Sequence, residues 1–125
     1  MFQAQEKEET GINCEKIASQ ICDILLNELE DDTKYGARIV LFPTSDEHSA
    51  TIEIETMDGF GYTRAYYINL YIGDGEQLYI ELVYSEIRYK AEITLSRLMQ
   101  MIHGSKTIKQ FLTKLRNYIK KHYYL

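Results

Sequence analysis

The sequence predicts an α+β domain: an antiparallel four- to five-stranded meander sheet with an N-terminal helix and two C-terminal helices packed on one face. Three observations support this prediction. Apolar residues recur every three or four positions up to about residue 31, alternate with period two through the middle of the chain, and return to helical spacing near the end. With 125 residues, 45% of them hydrophobic, the chain is long enough to bury the core of one domain.

The first ten residues, MFQAQEKEET, are polar and acidic. They predict a flexible N-terminal lead-in over residues 1–12, followed by a single α+β domain over residues 13–125. They do not have the pattern of a signal peptide, and no apolar run reaches the length of a membrane span. Cys14 and Cys22 lie in one predicted helix, about 12 Å apart along its axis, which is too far for a disulfide. We therefore expect buried thiols in a reducing compartment and a cytoplasmic protein.

The first helix is predicted over roughly residues 13–31, with Thr10 and Asn13 as alternative N-caps. Its apolar stripe consists of Cys14, Ile17, Ala18, Ile21, Leu25 and Leu29. The end of the helix, NELEDD, is acidic, which is unfavourable at the negative end of the helix dipole. A basic surface, within the fold or on a partner, would relieve it. Gly36 is the expected terminator.

Two strands follow. ARIVLF predicts a first strand with Val40 and Phe42 on one side, and ATIEIET predicts a second, half-buried strand. In the second strand Ile52 and Ile54 point towards the core, and the glutamates between them point away. The even-numbered apolar residues of the first four strands are expected to face the helices.

The tyrosine-rich segment 64–84 predicts a hairpin with a three-residue turn, Asp74-Gly75-Glu76, because even-numbered apolar residues occupy one face before and after it. After Tyr84 the apolar residues change parity. A two-residue connection at Ser85-Glu86 explains the change and gives five strands. A bulge near Ser85 within one long strand would also explain the change of parity and would give four strands. We favour five strands.

Two amphipathic helices complete the pattern. TLSRLMQMIHG ends at Gly104, and Ser105 is the expected cap of the last helix. The apolar face of that helix consists of Ile108, Phe111, Leu112, Leu115, Tyr118 and Ile119. Basic residues cover much of the rest: Lys106, Lys109, Lys114, Arg116, Lys120 and Lys121.

Charge is distributed unevenly along the chain. Residues 1–87 contain 18 acidic and 5 basic residues, whereas residues 88–125 contain 1 acidic and 9 basic residues. This asymmetry is typical either of a protein with a polar partner or of a fold whose basic end neutralises its acidic part. Both interpretations stay open on sequence alone.

Motifs for chemistry are lacking. The sequence has no phosphate-cradling glycine loop ahead of a helix, no cysteine or histidine spacing suited to zinc, and no nucleophile with an adjacent base. Asp46, Glu47 and His48 form a weak acidic and histidine cluster, for which a solvated loop is the favoured interpretation. We therefore expect no catalytic residues, no metal, no cofactor and no enzymatic activity.

The outward face of the predicted sheet is the leading candidate for function. It pairs Tyr71 with Tyr79 and carries the candidate protein-binding residues Tyr67, Asn69, Tyr71, Tyr79, Glu81 and Val83. Tyrosine anchors interfaces because it offers a large area with few rotors and one polar tip. The leading hypothesis is a protein-binding module that forms a homodimer. A well-paired but merely exposed sheet is the alternative.

Two further hypotheses remain. The acidic surface of Glu28, Glu30, Asp31, Asp32, Glu53 and Glu55 could act as a charge mimic that inhibits a nucleic-acid-handling enzyme, as in anti-defence proteins of phages and mobile elements. The basic residues of 106–121 could instead bind nucleic acid. Stacking of bases on the sheet is disfavoured because Glu53, Glu55 and Glu81 would repel phosphates. The size and the composition are typical of small bacterial or phage accessory proteins.

Overall fold

The computed structural model describes residues 12–32, 36–42, 48–57 and 63–122. The elements run in the order α1 (Cys14–Asn27), β1 (Ala37–Phe42), β2 (Ser49–Met57), β3 (Thr63–Ile72), β4 (Leu78–Tyr84), β5 (Ile87–Glu92), α2 (Leu95–His103) and α3 (Ile108–Lys121). The α+β class and the five-stranded reading are confirmed. The predicted lead-in lies, except for Ile12, outside the described residues. Of the helices described, none has the length and apolar character needed to cross a membrane.

The sheet is a meander in the spatial order β1-β2-β3-β4-β5, and every neighbouring pair is antiparallel. Helix α1 packs on β1, β2 and β3, whereas α3 packs on β5 and on α2. The largest fully buried side chains come from both layers: Ile21, Leu25, Ile52, Ile54, Ile68, Leu70, Ile80, Leu98, Ile102, Phe111, Leu115 and Ile119. Burying each such side chain contributes about 1.5–3 kcal/mol, so this layer is the main source of stability.

Helix α1 is shorter than the sequence predicts. Of the two predicted caps, Asn13 is the one observed, and its Oδ1 accepts a hydrogen bond from the Lys16 amide at 3.0 Å. The helix ends at Asn27 because the chain beyond it pairs elsewhere. Glu30 forms a parallel bridge with Thr107, in which its amide donates to the Lys106 carbonyl at 2.9 Å.

The expectation that Gly36 terminates α1 is wrong. Gly36 directly precedes β1. Its φ of +93° is in the left-handed region that favours glycine. The adjacent Ala37 amide donates to Asp31 Oδ2 at 2.7 Å. The segment between α1 and β1 is therefore anchored at both of its described ends.

The prediction for the facing of β1 is wrong. Ile39 and Leu41 pack against the core, and Val40 and Phe42 lie on the opposite side, where they pair with Glu53 and Thr51 of β2. Cross-strand partners share a face, so the pairing with β2 decides the orientation of β1. The prediction carried the parity of β2 across the connection 43–47, and β1 in fact has the opposite parity.

Both predicted turns of the tyrosine hairpin region are confirmed. Ile72 pairs with Leu78, and the Gly73 amide donates to the Gln77 carbonyl at 2.9 Å, which leaves a three-residue turn. After β4, Tyr84 pairs with Ile87 across a two-residue connection. Ser85 adopts a φ of +57° there, so the tight turn forms without a glycine.

Thr107, and not Ser105, caps the last helix. Thr107 Oγ1 accepts from the Gln110 amide at 3.0 Å. Ser105 is buried, and its hydroxyl donates to the Met101 carbonyl at 2.9 Å, so it closes the end of α2. The start of α3 is displaced by two residues because residues 106–108 first pair with Glu30.

Both cysteines are free and buried in α1, as predicted. Burial, assisted by the negative charge of Asp23, raises the pKa of the Cys22 thiol from 9.0 to about 11. A thiol with so high a pKa contributes little thiolate near neutral pH and reacts slowly.

We expect the Cys22 thiol to add pH dependence to folding at alkaline pH. The unfolded chain releases this proton first, so the thiol stabilises the fold fully below its unfolded pKa of 9.0, and this contribution is lost as the pH rises towards 11. Denaturant titrations of the wild type and of Cys22→Ala at several pH values should show the steeper alkaline loss of unfolding free energy in the wild type. Parallel pH profiles for the two proteins would contradict the assignment.

Candidate functional site

The outward face of the sheet is the face turned away from the helices. Its described side chains are Arg38, Val40, Phe42, Ser49, Thr51, Glu53, Glu55, Ala65, Tyr67, Asn69, Tyr71, Tyr79, Glu81, Val83, Arg88, Lys90 and Glu92. The six sheet residues proposed from the sequence for protein binding all lie on it. Each of the six is half-buried, because its neighbours on the same face shield its sides.

A chain of polar contacts crosses the middle of the outward face. The Thr51 hydroxyl donates to Asn69 Oδ1 at 2.8 Å, and Asn69 Nδ2 donates to Glu81 Oε1 at 2.8 Å. Arg88 then approaches the same Glu81 oxygen at 3.6 Å. Contacts of this kind fix the register of neighbouring strands and hold the side chains in one arrangement.

Tyr71 and Tyr79 form a stacked pair on the same face. Their ring centroids are 5.4 Å apart, and the ring planes differ by 14°. Lys90 Nζ lies 5.3 Å from the centroid of Tyr71 and 6.0 Å from that of Tyr79. A hydrogen bond with Tyr71 is the main cause that raises the pKa of Lys90. The two rings and the ammonium group are therefore arranged before any partner arrives.

Tyr67 completes the aromatic part of the face. Its hydroxyl donates to Glu53 Oε2 at 3.1 Å, and this hydrogen bond and the carboxylate charge raise the pKa of Tyr67. Val83 pairs with Tyr67 on one side, and Val40 pairs with Glu53 on the other. At the β1 edge, Phe42 is 42% exposed.

Sequence reasoning missed Val40 and Phe42 as members of this face. The alternation in β1 is compatible with either facing, so only the partner strand could assign it. With them, the face has an apolar edge on β1 in addition to its tyrosines.

Charged residues of both signs lie at the two sides of the outward face. Glu53 and Glu55 lie on β2, whereas Arg88 and Lys90 lie on β5, at the opposite side of the sheet. Arg38 pairs with Glu55 at 3.4 Å, but the arginine side chain is 72% exposed, so this ion pair contributes little stability. Glu81 on β4 and Glu92 on β5 lie on the same side as Arg88 and Lys90, so each side of the face carries both signs of charge.

The candidate acidic surface is divided between two places. Glu53 and Glu55 belong to the outward face, whereas Glu28, Glu30, Asp31 and Asp32 follow α1. Asp32 Oδ1 accepts from the Lys109 amide at 3.2 Å, in the first turn of α3. Asp32, beyond the end of α1, thus lies at the positive end of the α3 dipole, where a backbone amide and not a basic side chain contacts it.

The basic residues around α3 also serve different sides of the helix. Lys114 Nζ donates to the Gly104 carbonyl at 2.7 Å and so supports the end of α2. Lys109 and Arg116 face a cavity beside the sheet. Lys106, Lys120 and Lys121 are exposed. The six residues do not form a single face.

The cavity was not found by sequence reasoning. It has a volume of about 530 Å³ and lies between α3 and the helix-facing side of β3, β4 and β5. We call it the tyrosine pocket, since Tyr66, Tyr84 and Tyr89 line it. Tyr66 and Tyr84 stack with ring centroids 4.5 Å apart. Both share the parity of core residues, so periodicity alone assigns them to the core, and only their polar tips could have indicated a pocket.

The segment of Asp46, Glu47 and His48, interpreted from the sequence as a solvated loop, is described only at His48. Among the described residues no group of three His, Cys, Asp or Glu side chains is placed to hold a metal ion. His48 is exposed, and Asp46 and Glu47 lie outside the described residues.

Comparison of the chain with protein-family models, with curated proteins and with solved structures found no match.

The polar chain across the outward face should be measurably coupled. A double-mutant cycle with Asn69→Ala and Glu81→Ala should give a coupling free energy of about 0.5–1.5 kcal/mol, the usual net contribution of a shielded hydrogen bond. Urea unfolding of the four proteins provides the measurement.

The matched control is the exposed pair on the same face. Arg38→Ala and Glu55→Ala should couple by less than about 0.5 kcal/mol, because solvent screens this ion pair. Equal coupling in both cycles would show that the Asn69 network does not hold the sheet as described.

Proposed function

We propose that the protein is a non-catalytic binding module that contacts another protein through the outward face, and that its first partner is a second copy of the same chain. One observation carries this proposal. The helices of the described structure pack on the other side of the sheet, so no described element covers the face that carries Tyr67, Tyr71 and Tyr79.

The arrangement of the aromatic residues favours binding. Ordering a side chain on association has a cost in conformational entropy. Because Tyr71 and Tyr79 are already stacked in the free protein, their binding costs less entropy. The polar chain through Asn69 likewise satisfies polar groups that an interface would otherwise leave unpaired. Buried on association, the tyrosines and Val83 would form an apolar centre surrounded by charges, as in standard interfaces.

The charge pattern favours self-association. A two-fold axis running along the central strand β3 would place the β1-β2 side of one copy over the β4-β5 side of the other. Glu53 and Glu55 would then approach Arg88 and Lys90 of the second copy, twice by symmetry. This complementarity comes from these four residues and not from the net charge of each side, since Glu81 and Glu92 also lie on the β4-β5 side.

The two other hypotheses have less support. The acidic residues are split between two places, and Asp31 and Asp32 accept hydrogen bonds from the chain's own backbone, which limits them as a mimic of nucleic-acid charge. The basic residues of α3 are likewise distributed over several sides of the helix, which does not favour a continuous nucleic-acid interface.

Replacing Tyr71 and Tyr79 by serine should weaken the homodimer at least about tenfold, since central tyrosines commonly contribute more than 1 kcal/mol each to an interface. Sedimentation velocity over a concentration series measures the dissociation constant. Leu26→Ser is the matched control, because Leu26 is 58% exposed on α1, in the helix layer. It should leave the constant unchanged.

The serine substitutions could weaken the dimer by destabilising the sheet, because a cross-strand tyrosine pair also stabilises folding. A second variant separates the two effects. Phe42→Arg changes an exposed residue at the edge of the outward face and should weaken the dimer while the circular dichroism spectrum stays that of the wild type. A wild type that is monomeric at every accessible concentration, or variants that associate as well as the wild type, would overturn self-association through this face.

A further inference from the structure

The tyrosine pocket has the size and floor of a small-molecule site. Its volume of about 530 Å³ falls within the range of roughly 300–1,000 Å³ that such sites occupy. Leu82, Ile108 and Leu112 line it with apolar surface and are themselves nearly fully buried. The pocket lies on the helix-facing side of the sheet, so it is independent of the outward face.

The charged residues that line the pocket are mostly cationic. Arg64 reaches it from β3, and Lys109 and Arg116 reach it from α3. Among its described lining residues, Asp32 is the one carboxylate, and its Oδ1 already accepts the hydrogen bond from the Lys109 amide. Positive charge beside a low-dielectric wall attracts anions and strengthens their hydrogen bonds.

Two tyrosine hydroxyls lie at the same place as the guanidinium groups. Arg64 donates to the Tyr84 hydroxyl oxygen at 2.8 Å. The pKa of Tyr66 is raised, first by burial and then by the adjacent Tyr84, while the charges of Arg64 and Arg116 oppose the rise. The Tyr66 hydroxyl is hydrogen-bonded to Tyr84, which also raises its pKa, so it stays protonated at neutral pH within the field of both arginines.

We propose that the tyrosine pocket binds a small organic anion, in which a phosphate or carboxylate group meets Arg64, Arg116 and the tyrosine hydroxyls, and an apolar or aromatic body lies on Leu82, Ile108 and Leu112. Planar guanidinium groups bind both kinds of anion in a bidentate manner. The apolar floor and the volume favour a molecule larger than a bare inorganic ion. The excess of cations disfavours amines.

The probe for the first test is naphthyl phosphate, which joins an aromatic body to a dianion. Its titration into the isotope-labelled full chain should move the methyl signals of Leu82, Ile108 and Leu112 along one saturable, one-to-one curve. Naphthoate in a parallel titration distinguishes a carboxylate ligand from a phosphate ligand, and tighter binding of either one supports the proposal. Naphthylmethylamine should not move these signals.

Variants assign the binding to the pocket. Arg116→Ala should weaken the affinity for naphthyl phosphate by about tenfold, the usual effect of losing one charged hydrogen bond. Lys121→Ala removes a cation from the same helix outside the pocket and should change the affinity less than about twofold. Thr113→Glu places a carboxylate at the exposed wall and should abolish binding without touching the core.

Several results would overturn the proposal. They are an absence of saturable shifts with both naphthyl anions, equal binding of naphthylmethylamine, and unchanged affinity in both Arg116→Ala and Thr113→Glu. Inorganic phosphate that binds as tightly as naphthyl phosphate would also overturn it, since the apolar floor would then contribute nothing. None of these results depends on dimer formation, so they would not affect the proposal that the outward face forms a homodimer.

Discussion

The helices bury one face of the sheet, and this burial determines the orientation of every strand. Ile52, Ile68 and Leu82 form a continuous row across three strands, and α1 and α3 cover that side. Because side chains alternate along a strand, burying one face commits every intervening residue to the other. A shift of one residue in register would exchange Ile68 with Tyr67 or Asn69, so the core also fixes the composition of the outward face.

A second set of contacts joins the two ends of the chain. The parallel bridge between Glu30 and Thr107, together with the hydrogen bond from the Lys109 amide to Asp32, attaches the segment after α1 to the start of α3. At Asp32, one carboxylate of the acidic first half accepts a hydrogen bond from a backbone amide at the positive end of α3. The same contacts position Lys109 and Asp32 at the tyrosine pocket.

Much of the fold follows from periodicity. The core residues of β2, β3 and β4, the odd-length turn at Asp74 and the change of parity at Ser85 are all encoded in local patterns, and the structure confirms them. The facing of β1 is not encoded in this way. Val40 and Ile39 are equally apolar, and only pairing with β2 distinguishes them. The cap at Thr107 likewise depends on a contact with Glu30, which is remote in sequence.

The two candidate sites also differ in whether local sequence patterns encode them. The pairing of Tyr71 with Tyr79 could be predicted, because one short turn fixes it. The tyrosine pocket could not, because Arg64, Arg116 and Asp32 come from three separate segments, and their convergence is a result of tertiary packing. Local patterns therefore identify the surface built by one hairpin and miss the cavity built between layers.

Intermolecular nuclear Overhauser effects, recorded on a mixture of isotope-labelled and unlabelled protein, show which residues of one copy lie against the other. If two copies meet through the outward face, signals from Tyr71, Tyr79 and Val83 should report protons of the second copy, and those of Leu26 on α1 should not. Intermolecular effects confined to the helices, or none at all, would contradict self-association through this face.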